Sequence, residues 1–192
     1  MRFKILFCAV FAILIFSLLP FLCLYAQSNV TFGLNISTEI YPEISRPLVG
    51  AFMEKKFKPH SGIETGVYYH TARSSDFITI TEPSGTKSYS FTISRRYLNI
   101  PVLYKYYYKT INLSAGPTLD LYVGWKQRED EFPYQIKSYE VNPKAKIGYL
   151  LKAGRPIQVK GNWIIEPEVR LGSFDTFGNS GLGVGISVKH KK

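Results

Sequence analysis

Cysteine is almost missing from this chain. The two present, Cys8 and Cys23, both lie in an N-terminal apolar stretch that runs from Ile5 to about Leu24 behind the basic residues Arg2 and Lys4. That stretch reads as an export signal ending at Leu24-Tyr25-Ala26 before Gln27, so the expected division is a signal over residues 1–26 and one domain over 27–192. A retained membrane anchor is the competing reading, because the run is long enough to span a bilayer as a helix. A lipoprotein signal is excluded, since Leu22 rather than a small residue precedes Cys23. With the signal gone no thiol remains, which excludes a disulfide framework, a cysteine metal site and a cysteine nucleophile. The remaining 166 residues must hold together by burial and backbone pairing.

Acidic residues are also scarce: 14 Asp and Glu face 24 Lys and Arg, a formal charge of +10 that falls to +8 without Arg2 and Lys4. The basic residues are scattered over the chain and its His190-Lys191-Lys192 tail rather than gathered on one stripe. Nucleic acid is therefore not the expected partner, and anionic lipid head groups are the more natural one for an exported chain. Three histidines are too few and too dispersed for a metal cluster, and no cofactor motif stands out. The glycine-rich run from Gly178 to Gly185 lacks the following helix that a phosphate-cradling loop requires.

What is present is alternation. Eight runs place apolar residues two apart, the period of a strand with two unlike faces. Val30, Phe32, Leu34 and Ile36 open the series, and Leu182, Val184, Ile186 and Val188 close it. Between them lie runs around 49–57, 62–72, 96–108, 111–123, 139–153 and 163–171. The apolar face carries aromatics near strand ends (Phe32, Phe57, Tyr69, Tyr106, Tyr108, Trp125 and Trp163), as interfacial girdles do. The other face is polar. A charge network filling a narrow lumen is expected from Glu64, Lys105, Asp120, Lys144, Lys146, Glu166, Glu168 and Arg170, with Glu54 and Lys56 on the same side. A turn centred near Pro156 or Ile157 would set Lys146 opposite Glu166 or Glu168. The expected fold is all-β, an eight-stranded antiparallel up-and-down transmembrane β-barrel.

The links are alternately long and short. Thr38–Leu48, Arg73–Arg95, Gly124–Lys137 and Gly172–Ser180 are expected outside the cell, and turns beginning at Lys58, Lys109 and Gly154 inside. The longest, Arg73–Arg95, is expected to hold a turn at Glu82-Pro83-Ser84-Gly85, with Phe77, Ile78 and Ile80 extending the third strand beyond the membrane. Pro101, Pro117, Pro143 and Pro167 each interrupt a proposed strand, where proline removes a ladder hydrogen bond.

The segment Tyr97-Leu98-Asn99-Ile100-Pro101-Val102-Leu103-Tyr104-Lys105-Tyr106, followed by Ala115-Gly116-Pro117, resembles the outer-membrane β-barrel family common in Bacteroidetes. That resemblance implies a porin-like small barrel and accounts for Pro101 and Pro117 as family features. One branch of the family is similar to accessory barrels of a secretion and gliding system. This chain departs from the pattern at Asn99, where an acidic residue is usual, and at its C-terminus, which lacks a terminal aromatic.

Function is expected to be structural, binding or secretion-accessory. The expected surroundings are outer-membrane lipid and lipopolysaccharide, with a protein partner reached through residues 73–95. Two alternatives stand beside it: a lipid A-modifying enzyme using His70 with Ser74 or Ser75, and a narrow solute channel. No catalytic or metal residue is assigned.

Overall fold

The structure, a computed structural model, describes residues 30–40, 45–82, 85–127, 144–173 and 180–191. The export segment, Pro143 and parts of the long links lie outside these residues. Among the described residues every regular element is a strand: β1 (Val30–Ile40), β2 (Ser45–Lys58), β3 (Ser61–Glu82), β4 (Gly85–Tyr108), β5 (Ile111–Gln127), β6 (Ala145–Gly154), β7 (Ile157–Gln158), β8 (Trp163–Ser173) and β9 (Gly181–Lys191). All pairings are antiparallel. Successive strands pair from β1 to β6, β6 pairs with β8, β8 with β9, and β9 with β1.

Among the described residues nine strands appear where the sequence predicts eight, and the extra one has a local cause. Pro156 lacks an amide hydrogen and cannot donate to the ladder. The pairing Gly154↔Glu168 therefore lapses and resumes in the same register at Ile157↔Ile165 in the two-residue strand β7. The chain reverses at Lys160–Asn162 instead, with Gly161 at φ 71°, a left-handed conformation that glycine adopts without a Cβ clash. The expected turn at Gly154-Arg155-Pro156 is corrected to this position. The other two short turns stand where expected, at Pro59–His60 and Lys109–Thr110.

Arg73–Arg95 is not a plain link. β3 and β4 continue through it as a hairpin, paired from Arg73↔Ser94 to Glu82↔Gly85. β2 accompanies β3 only as far as His70, and β5 accompanies β4 back only to Ile93. Among the described residues the hairpin thus runs on past the ends of β2 and β5, with Phe77, about midway along it, almost fully exposed (84%).

The internal prolines interrupt hydrogen bonds but not register. Pairing between β3 and β4 skips from Thr65↔Val102 to Tyr68↔Asn99 around Pro101, and the Thr65 hydroxyl donates to the Pro101 carbonyl at 2.9 Å. Pairing between β4 and β5 skips from Pro101↔Thr118 to Tyr104↔Ala115 around Pro117. Pro167 lies opposite the gap at Arg155–Pro156, and its carbonyl accepts from the Arg155 amide. Each proline is tolerated because the ladder hydrogen bond it lacks falls in a local gap.

Burial alternates along every long strand, and its polarity is the reverse of a soluble protein's. Leu34, Ile36, Val102, Tyr104, Ile147, Val169, Val184 and Ile186 face outward and are exposed, whereas Asn35, Glu54, Glu64, Lys105, Asp120, Lys152, Glu166, Glu168, Arg170 and Lys189 are buried. A contiguous apolar exterior of this extent marks a surface built for lipid or a partner rather than water. Phe32, Phe57, Tyr106, Tyr108 and Trp163 sit exposed toward the short-turn end, and Tyr69 toward the other.

Candidate functional site

The buried polar side chains meet across the sheet in two groups. Along β2, Leu48 and Phe52 separate Arg46 from Glu54; along β3, Tyr68 stands between Glu64 and His70. Leu48, Phe52 and Tyr68 are in contact as a small apolar cluster. Charges lie on both sides of it.

On the short-turn side, lysines and glutamates alternate. The Lys105 ammonium reaches Glu54 at 2.6 Å, Glu64 at 3.0 Å and Glu166 at 3.4 Å. Lys152 bridges Glu64 and Glu168, and Lys189 bridges Glu54 and Glu166. Arg170 touches Glu168 at 3.8 Å, so each of the four carboxylates has two cations beside it. Asn112 donates to Glu166, and Asn35 donates to both Glu168 and Ser187. Lys152 and Lys189 also lie 5.8 Å from the Phe52 ring centre, so their charges rest on its negative face. A buried charge without a partner is costly, and this arrangement leaves none of the four without one.

On the other side, Asp120 Oδ1 accepts from Asn99 at 3.2 Å and lies 2.7 Å from His70 Nε2. Arg46 Nη2 is 2.7 Å from the same ring nitrogen, and the Tyr97 ring stacks on the imidazole with centroids 5.1 Å apart. Glu39 bridges Arg46 at 4.0 Å and Arg170 at 3.4 Å. Asn99 thus serves as a donor to Asp120.

Six of the eight residues singled out in the sequence lie in these groups: Glu64, Lys105, Asp120, Glu166, Glu168 and Arg170. Lys144 and Lys146 do not lie in the glutamate cluster. Lys144 is exposed, and Lys146 is half-buried and stands across from Asp120 on β5. The displaced turn is the reason. With the reversal at Gly161, the β6 residues opposite Arg170 and Glu168 are Lys152 and Gly154. Lys152, Lys189, Arg46 and Glu39 were missing from the sequence-derived set. Lys152 could have been found by parity, since Leu151 faces outward; the partner of Lys189 on β2 is 135 residues away and has no local signal.

Chemistry at His70 is poorly served by this geometry. His70 is buried, and Ser75, five residues along the same strand, is exposed on the opposite face. The cavity beside the Arg46–Asp120 group has a volume of about 10 Å³, room for one water and not for an acyl chain. Among the described residues no three His, Cys, Asp or Glu side chains are placed to hold a metal ion.

The chain is similar to solved outer-membrane and designed barrels at low identity. A de novo designed transmembrane β-barrel shares 11% identity over 85% of this chain and 98% of its own, with a TM-score of 0.44. The N-terminal β-barrel domain of Pseudomonas aeruginosa OprF shares 11% over 85% and 99%, with a TM-score of 0.42. Ail, the attachment invasion locus protein of Yersinia pestis, in complex with the heparin analogue sucrose octasulfate, shares 10% over 84% and 94%, with a TM-score of 0.40. No curated protein matches the chain. Residues 25–177, most of the sequence, match the family described as outer membrane protein beta-barrel domain, and the chain belongs to that family.

Proposed function

We propose that this protein is a closed eight-stranded transmembrane barrel, exported behind a cleaved signal over residues 1–26, that holds the β3–β4 hairpin outside the cell as a non-catalytic binding element. Counting β6 and β7 as one interrupted strand gives eight tracks, and their cyclic pairing supports closure. A barrel of that size leaves an interior about wide enough for its own side chains, which suits the paired charges found there and speaks against a channel.

The observation that carries the reading is strand length. A membrane-spanning strand needs about 9–11 residues. β6, β8 and β9 have 10, 11 and 11, whereas β3 and β4 have 22 and 24. The surplus is a two-stranded ribbon whose β3 edge has no strand beside it among the described residues, and such an edge accepts a further strand from a partner. Its segment is rich in Ser and Thr, with Phe77 presented to solvent. A role as a secretion-accessory barrel is one form this binding could take.

Orientation is the test. An epitope tag inserted after Ser84 is accessible to antibody on intact cells, and one inserted after Pro59 is not. Two hidden tags, or exposure of the second alone, overturn the arrangement.

A further inference from the structure

At the short-turn end the interior opens into a basin of about 960 Å³, a volume typical of small-ligand sites. Five lysines besides Lys189 line it against two glutamates, Glu54 and Glu166. Both glutamates are already held by Lys105 and Lys189 below, so they do not neutralise the rim. Lys58, Lys109 and Lys191 form no ion pair among the described residues, and the Lys56 ammonium sits 4.1 Å above the Tyr107 ring. These side chains come from β2, the β4–β5 turn and β9, yet they converge on one space.

The backbone beneath them is fixed. The Tyr107 amide donates to the His60 carbonyl at 3.0 Å, His60 Nδ1 lies 3.0 Å from the Tyr107 carbonyl, and the Lys191 amide donates to Asn162 at 2.9 Å. Like charges gathered around one basin repel one another unless an anion sits between them. An ordinary solvated face would splay its lysines outward instead of around a cavity.

We propose that this basin binds a multiply charged, phosphate-bearing anion through Lys56, Lys58, Lys109 and Lys191. Lysine acts toward phosphate as a mobile point charge, so the site selects charge density more than shape. The exposed Phe57, Tyr108 and Trp163 stand at the same end, at the level of lipid head groups. The phosphate therefore has two sources, an anionic lipid head group or a soluble polyphosphate, with the same contacts. The basin lies at the opposite strand ends from the β3–β4 hairpin and stands or falls independently of it.

The test uses the whole mature protein. In zwitterionic detergent it is titrated calorimetrically with inorganic tripolyphosphate; in nanodiscs of phosphatidylcholine with or without phosphatidylglycerol, retained lipid is read by native mass spectrometry. Saturable tripolyphosphate binding identifies a soluble anion, and selective phosphatidylglycerol retention identifies the head group. In whichever arm responds, Lys58→Gln and Lys109→Gln each weaken binding by about two- to fivefold, as expected for part-exposed charge pairs. The triple variant with Lys191→Gln abolishes it, Lys109→Arg retains it, and Lys87→Gln in the hairpin leaves it unchanged. Heat-modifiable migration on gels confirms that each variant is folded. Absence of binding in both arms, or a folded triple variant that binds like the parent, overturns the proposal.

Discussion

Lys105 is the residue on which the interior depends most, because three carboxylates share it. Removing one member of a buried ion-pair group costs about 3–5 kcal/mol, chiefly through the uncompensated charge left behind. Lys105→Ala should therefore lower unfolding stability in detergent by that amount, read as the shift of a urea or guanidinium transition. Lys105→Ala combined with Glu54→Gln should recover part of the loss, since one orphaned carboxylate is neutralised. Lys146→Ala, at a half-buried site outside the glutamate cluster, should cost only about 1 kcal/mol or less. Equal losses at positions 105 and 146 would mean that the interior is hydrated and its charges screened. Gly154 shows the same crowding from the backbone side: a Cβ there would lie 2.5 Å from a Glu166 carboxylate oxygen, so a larger residue would push that carboxylate from its place.

At the scale of elements, the hairpin and the β7–β8 turn separate what alternation reveals from what it hides. Replacing residues 77–90 by Asn-Gly would close the hairpin directly on the Asp76↔Phe91 pair with a turn suited to two antiparallel strands. Such a variant should keep the parent's heat-modifiable migration, because the strand pairings from Asp76↔Phe91 inward are left in place. Gly161→Ala should cost about 1 kcal/mol through its positive φ alone, since a Cβ there meets no neighbouring atom. The faces of the strands were legible because a two-residue period sorts Leu34 from Asn35 and Tyr104 from Lys105 without reference to any partner. The β7–β8 reversal was not legible. Gly154-Arg155-Pro156 carries a stronger local turn signal than Lys160-Gly161-Asn162, and the backbone pairing of Ile157 with Ile165 overrides it. The extension of β3 through Phe77 and the reversal between Glu82 and Gly85 were legible, but the paired return strand was not, because its Ser and Thr residues put polar groups on both faces and erase alternation. Pairs such as Glu54 with Lys189 are set by which strands meet, and no spacing within one strand encodes that.

For the whole molecule, the interior decides whether anything passes through. Four glutamates, three lysines and Arg170 occupy one end of it, and Phe52, Tyr68 and Leu48 cross the middle. Single-channel recordings of the purified protein in planar bilayers should show no large, steady conductance, and a stable open level would contradict the plugged interior. The same side chains bear on how the protein reaches its membrane. Lys189 belongs to the last strand, and two of the glutamates that it and Lys105 share stand on the second and eighth strands. Until the first and last strands meet, the sheet is a ribbon with lipid-compatible residues on one surface and a row of hydrated, unbalanced charges on the other. Such a ribbon cannot enter the hydrocarbon layer alone without carrying that row with it. Insertion and the joining of the chain's two ends are thereby tied into one event, so a nascent chain shortened before Gly181 would stall in the aqueous compartment, awaiting a seam it has no strand to form.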